Sequence, residues 1–365
     1  MARKVKSAVD AVEASLSEQR ARQQALAADR QIAQLRESLG DSQRKYKAAI
    51  AELEAANQRA DAQANWIGMK PRAVKSGRKA KSAPATAVLV LSDWHIEETV
   101  TRESVNGLNE YSIPIARRRV AEVFERAERL IAHERQLVDI DHLVIATLGD
   151  FISGHIHEEL LETCSMGPME ATREAGELLL GGIEKMLGLF RRVSIVTSHG
   201  NHGRSTPKIR VATGARHSHE HNLYKWLEKS TRGTKGLEWQ IADGYLNYMD
   251  IQGYTVRFHH GDAVKYSSGV GGLTIPMNKA KANWDRSRHS DLDVCGHFHT
   301  WLYMPYKFVV NGCLIGMSPF GVRIRAEYQP PSQTLLVVDS RHGVTKALQI
   351  FADKDVRHAY HAPSG

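Results

Sequence analysis

The sequence predicts an α/β fold carrying an N-terminal helical extension. Three observations carry this reading. From Thr86 onward, short apolar runs alternate with amphipathic helical patterns. Each of the first three apolar runs ends in polar residues of metal-ligand type. The first 59 residues contain no proline and one glycine, Gly40, in a composition rich in Ala, Gln, Glu, Arg and Lys.

Residues 1–66 read as a helical, coiled-coil-like segment. Val5, Val9, Val12 and Leu16 step by four and three, with Leu26 in the same register; after a slip, Ile32, Leu35, Leu39, Tyr46 and Leu53 resume the spacing. So narrow a stripe cannot bury itself, so the helix is expected to pair with another copy, giving a homo-oligomer, or with the rest of the chain. Residues 67–85 read as a basic flexible linker, where Lys70, Arg72, Lys75, Arg78, Lys79 and Lys81 occur without an acidic residue. Such a run is either a solvated tether or a contact to a phosphate backbone. Residues 86–355 form the globular domain, and 356–365 a tail.

Within the domain, Thr86 to Leu91, His142 to Leu148 and Arg192 to Thr197 read as buried strands. Pro114 to Glu134, Met169 to Phe190 and Ala215 to Lys229 read as helices. Further strands are expected at Glu238 to Ala242, Leu246 to Ile251, Tyr254 to His259, Leu292 to Cys295, Lys307 to Val310 and Thr334 to Val338. A mixed sheet, or two stacked sheets, should result.

Charge and composition bound the function. The 42% hydrophobic content of the 365 residues excludes wholesale disorder. No apolar run approaches the ~18–20 residues of a membrane span, and no secretory signal pattern opens the sequence, so a cytoplasmic protein without membrane contact is expected. The net charge of +8 belongs entirely to residues 1–82, which carry 17 basic and 9 acidic residues; the rest carries 32 of each. Attraction to phosphate polymers is therefore concentrated in the N-terminal fifth. Cys164, Cys295 and Cys313 lack paired spacing and are expected to be buried packing thiols in a reducing compartment.

Five polar clusters follow five expected strands: Asp93-Trp94-His95, Gly149-Asp150, Gly200-Asn201-His202, His259-His260-Gly261-Asp262 and Gly296-His297-Phe298-His299. In open α/β sheets the rim at the strand C-termini is where ligands bind. On an extended stretch Asp93 and His95 would share a face and grip one cation, and so would His297 and His299. Imidazole with oxygen ligands suits Mn, Fe, Zn or Ni rather than Ca. His259 should point away from its neighbour His260 and is not expected to be a ligand.

This ordered set (Asp-x-His, Gly-Asp, Gly-Asn-His, His-Gly and Gly-His-x-His) resembles the calcineurin-like metallophosphoesterases over roughly residues 86–318. The resemblance implies a four-layer αββα sandwich of two mixed β-sheets with a dinuclear centre at one edge. By matching position, it implies Asp93, His95, Asp150 and His299 as ligands of one ion. Asp150 as a bridge, Asn201, His260 and His297 would bind the other, and His202 would be the catalytic histidine. Two divalent transition-metal ions follow, with Mn expected first. Ser153 stands where the family's Gly-Asp-x-x-Asp pattern has its second carboxylate, and Gly203 where an acidic residue is common after Asn-His. The last motif has two histidines, and the arginine of the Ser/Thr phosphoprotein phosphatase branch is absent. Both features lean toward the phosphodiesterase and repair-exonuclease branches.

The expected function is hydrolysis of phosphodiester bonds, in nucleic acid as substrate, by a DNA exo- or endonuclease. The alternative is a phosphomonoesterase, protein phosphatase or cyclic-nucleotide phosphodiesterase of the same superfamily. His155, His157 and Arg204 are candidate substrate contacts. The loops Gly203 to His221 and Lys265 to Arg288 could hold phosphates, with Tyr266 and Trp284 stacking on bases, or be ordinary charged faces.

Overall fold

The computed structural model of the chain describes residues 84–266 and 271–353. The helix expected over 1–66, the basic linker up to residue 83 and the 356–365 tail lie outside the described residues.

A six-stranded sheet forms from β1 (Pro84–Leu91), β2 (Asp139–Thr147), β3 (Arg192–Thr197), β4 (Leu237–Ile241), β10 (Ser332–Asp339) and β11 (Gly343–Phe351), in the order β11-β10-β1-β2-β3-β4. The run from β1 to β4 is parallel, while β10 and β11 are antiparallel additions. A five-stranded sheet, in the order β5-β6-β7-β9-β8, contains β5 (Asn247–Ile251), β6 (Tyr254–Phe258), β7 (Leu292–Cys295), β8 (Leu302–Met304) and β9 (Phe308–Val310). Both sheets are mixed.

Strand periodicity determines the layers. On β1, Ala87, Leu89 and Leu91 face α1 (Ile113–Glu134) and α3 (Pro168–Leu187), whose Val123, Phe124, Leu179 and Ile183 belong to the same apolar cluster. The alternate residues Val88 and Val90 pack with Val256, Phe258, Val294 and Val309 of the second sheet. The far face of that sheet is covered by Met277, Ala280 and Trp284 of α5 (Thr274–Asp285). The order is helices, sheet, sheet, helix, the four-layer αββα sandwich.

Several elements differ from the sequence reading. β1 starts at Pro84, within the expected linker. The helix expected from Ala215 is divided: Ala215–His217 forms a 3-10 turn, and the Ser218 side chain accepts from the His221 N–H, so α4 starts at His219 and runs to Ser230. The elements α2 (Glu158–Thr163), α5, α6 (Pro319–Arg323), β8 and β11 carried no usable pattern. In α5 only Met277 is fully buried, so no apolar stripe marks it. Cys295 and Cys313 are buried, but Cys164 is only half-buried at the C-terminal end of α2, which corrects the expectation for that thiol. Among the described residues no helix is long and apolar enough to cross a membrane.

Candidate metal centre

The loops following β1, β2, β3, β6 and β7 carry all five polar clusters. Two of these loops touch: a side chain on Gly149 would meet Gly200 N at 2.2 Å, and one on Gly200 would meet Asp150 Oδ1 at 2.0 Å. Only paired glycines allow this approach. It brings the end of β2 against the end of β3.

Six of the seven expected metal ligands form two compact groups. Asp93, His95 and His299 make one, and Asp150, His260 and His297 the other; within each, the ligand atoms lie within 4.8 Å of one another. The seventh, Asn201, joins the second group, its Oδ1 lying 3.1 Å from His260 Nε2. The groups adjoin, since the His297 main-chain N–H lies 3.0 Å from both carboxylate oxygens of Asp93. Asp150 falls in the second group, and its Oδ1 accepts the His202 N–H at 2.8 Å.

The expectation of extended Asp-x-His and His-x-His pairs is corrected. Asp93, His95, Asp150, His297 and His299 all have positive φ, between 46° and 72°. Left-handed backbone costs a non-glycine residue about 1–3 kcal/mol, and such residues concentrate at functional sites. The twist also separates the last pair, with His299 turning to the first group and His297 to the second. The resemblance implied this division; strand alternation did not.

His260 Nδ1 donates to the Leu148 carbonyl at 2.7 Å, so in the neutral ring Nε2 carries a lone pair. That lone pair faces Asp150 Oδ2 at 3.0 Å and His297 Nδ1 at 3.2 Å. An extra proton or a metal cation must sit among these acceptors. Burial depresses the His260 pKa, yet the adjacent Asp150 carboxylate overrides it and lifts the value to about 10. Burial and the charged His260 push His297 down to about 4, so the pair holds one excess proton where a cation would go. In the first group, His95 Nε2 and His299 Nε2 face each other at 3.2 Å, and only one can carry a proton. Burial, then His202 and His299, hold His95 well below the usual imidazole range. Both donor sets fit a divalent transition metal.

His202 lies between the groups. Its Nδ1 donates to the Ser153 carbonyl at 2.9 Å, and its ring packs edge-on against His95 with centroids 4.8 Å apart. His157 is exposed, its ring 6.3 Å from that of His202, and His155 is exposed beside it. The Arg204 guanidinium donates to the carbonyls of Asn201 at 2.6 Å and Thr206 at 3.1 Å, so it braces the loop that holds Asn201. Tyr266 is 44% exposed, with its ring 6.5 Å from Phe298. Trp284 instead packs on buried His259 at 4.9 Å and lies under Arg257, which corrects its expected place in base stacking.

Glu220 carried no signal in the sequence. It comes from α4, is fully buried, and accepts the N–H groups of Phe151 at 2.7 Å and Gly200 at 2.8 Å. A side chain on Gly203 would meet Glu220 at 2.8 Å, so Glu220 occupies the space beside His202 that an acidic residue at 203 would need. No local motif marks a carboxylate seventeen positions away.

No protein-family model and no curated protein matches the chain. Among solved structures it is similar to a conserved uncharacterized protein of Streptococcus pneumoniae TIGR4, a predicted phosphoesterase, at 11% identity over 73% of this chain and 98% of that one (TM-score 0.30). It is also similar to vacuolar protein sorting 29 of Cryptosporidium parvum, at 13% identity over 73% and 98% of the two chains (TM-score 0.29). A hypothetical protein of Pyrococcus horikoshii OT3 matches at 13% identity over 74% and 89% (TM-score 0.35). Residue roles do not transfer at such identities, and the site rests on its own geometry.

Proposed function

We propose that the chain is a metal-dependent phosphoric ester hydrolase acting on phosphodiester bonds, with nucleic acid as its substrate. The observation that carries this reading is the adjacency of two Asp/His groups at the C-terminal ends of strands from both sheets, with His202 touching both. When bound, two divalent ions would supply Lewis-acid stabilisation of the phosphoryl oxygens and a water of lowered pKa.

The chain's own residues do the rest. Asp93, His95 and His299 would hold one ion, and Asp150, Asn201, His260 and His297 the other. Because His202 Nδ1 is spent on the Ser153 carbonyl, Nε2 is the nitrogen left to give a proton to the leaving oxygen. The nucleic-acid reading is supported by the exposed Lys208, Arg210 and Arg216 on the loop that continues from His202, and by exposed Tyr266. The basic N-terminal fifth adds sequence-indifferent attraction to a phosphate polymer.

The test uses the full chain, stripped with chelator and reloaded with Mn²⁺, Zn²⁺, Fe²⁺ or Ni²⁺. Hydrolysis of single- and double-stranded DNA, RNA, cyclic nucleotides, a small phosphomonoester and a phosphopeptide is compared. Metal-dependent cleavage of DNA or RNA above the small substrates supports the reading. Turnover confined to monoesters, phosphopeptides or cyclic nucleotides overturns the polymer assignment, and no metal-dependent turnover overturns the hydrolase.

A further inference from the structure

Ser153 occupies the position where the motif pattern has a carboxylate, and the structure uses every polar group it has. Its N–H donates to Glu97 Oε1 at 2.8 Å, and its carbonyl accepts from His202 Nδ1 at 2.9 Å. Its Oγ lies 2.8 Å from Glu98 Oε2 and 2.9 Å from His95 Nδ1. The side chain is fully buried, so no solvent competes.

A hydroxyl has one proton to give. The Glu98 carboxylate only accepts, so Ser153 Oγ donates to Glu98 and must itself accept from His95 Nδ1–H. With the proton on Nδ1, the lone pair of His95 is on Nε2, the atom that faces His299 Nε2 at 3.2 Å within the first group. The nitrogen that can bind a metal is thus selected by the bond made at the other nitrogen.

We infer that Glu98, acting through the Ser153 hydroxyl, is a positioning residue that locks His95 in the tautomer able to take a cation. The carboxylate missing from position 153 is delivered from the β1 loop, three residues beyond the ligand it supports. Because the Ser153 carbonyl also holds His202, one buried serine sets the ring of a metal-binding histidine and of the proposed proton donor. This inference rests on reading Asp93, His95 and His299 as a metal site.

Two measurements on the full chain test it. Long-range ¹H–¹⁵N correlation spectra of the chelator-treated protein report the tautomer of each histidine; His95 is expected as Nδ1–H in the wild type and as a mixture in Ser153→Ala. Mn²⁺ titration followed by electron paramagnetic resonance or calorimetry is expected to show one of two ions weakened about 10- to 100-fold in Ser153→Ala and in Glu98→Ala, the other retained, and Ser153→Thr close to wild type. A wild-type His95 protonated on Nε2 overturns the inference, as does equal weakening of both ions with loss of thermal stability. If the wild type binds no divalent ion, the functional reading fails, and the tautomer spectrum still decides whether Glu98 orients His95.

Discussion

The main-chain N–H of His202 donates to Asp150 Oδ1 at 2.8 Å, tying the proposed proton donor to a carboxylate of the second group by one short bond. That bond is made by the main chain, whereas the ring is held by the Ser153 carbonyl, so the side chain can be removed without breaking it. His202→Ala is expected to bind both ions with unchanged affinity and to lose about 10²- to 10⁴-fold in turnover of alkyl-leaving diesters. The loss should shrink for a p-nitrophenyl ester, whose leaving oxygen needs no proton. Lost metal, or turnover unaffected with an alkyl leaving group, would assign His202 a different role.

Glu220 offers a second, stability-based test. Its two oxygens are the partners of the Phe151 and Gly200 N–H groups, which flank Asp150 and Asn201 in sequence. Glu220→Ala leaves two buried donors unpaired and is expected to cost roughly 2–5 kcal/mol in urea unfolding. Burial, and then the Asp150 charge, raise the Glu220 pKa to about 7. A raised carboxyl favours the folded state fully below its unfolded value of 4.5, and the benefit is lost as pH climbs through 7. Metal-free wild type should therefore lose stability between pH 4.5 and 7 more steeply than Glu220→Ala.

What the sequence made legible follows from how local each signal is. Strands β1, β2 and β3 were readable because buried parallel strands are continuous apolar runs, and the residues ending them announced a rim. Asp93, Asp150, His260 and His297 could be picked out because a core has no use for such groups at strand ends. Their backbone was not legible: nothing in Asp93-Trp94-His95 distinguishes alternating extended residues from two left-handed ones, and that difference separates His297 from His299. Glu98 and Glu220 escaped because each acts on the site through a residue distant in sequence, Ser153 and Gly200 respectively. Helix α5 escaped because its apolar contact with the second sheet is short, and a charged network of Arg257, Asp285, Asp293 and Lys281 completes its attachment.

The left-handed residues of the two groups carry a measurable cost. His299 has φ 53°, and its side chain is one-third exposed, so removing it empties little of the core. Glycine accepts that backbone freely, whereas alanine keeps the clash of Cβ with the carbonyl. In chelator, His299→Gly is expected to be more stable than His299→Ala by about 1 kcal/mol, the reverse of the usual order within helices or strands. Urea titrations of the two variants decide the point, and equal stability would mean that the backbone at 299 relaxes once the ring is gone.

The pH response of the metal-free protein should reveal the proton that occupies the second group. The folded pKa of His260 is raised from 6.5 to about 10, chiefly because Asp150 opposes the effect of burial. The pair therefore stabilises the fold fully below pH 6.5, and that contribution is lost as pH rises through 10. A cation in the same position must displace the proton, so Mn²⁺ binding to this group is expected to strengthen with pH across 6.5–10 and to release about one proton per ion. Calorimetry in buffers of different ionisation enthalpy counts that proton directly. His260→Gln should abolish both the release and the alkaline loss of stability. If wild-type binding instead releases no proton at pH 7.5, the second group is neutral before the ion arrives, and the acceptors around His260 Nε2 must be satisfied in another way.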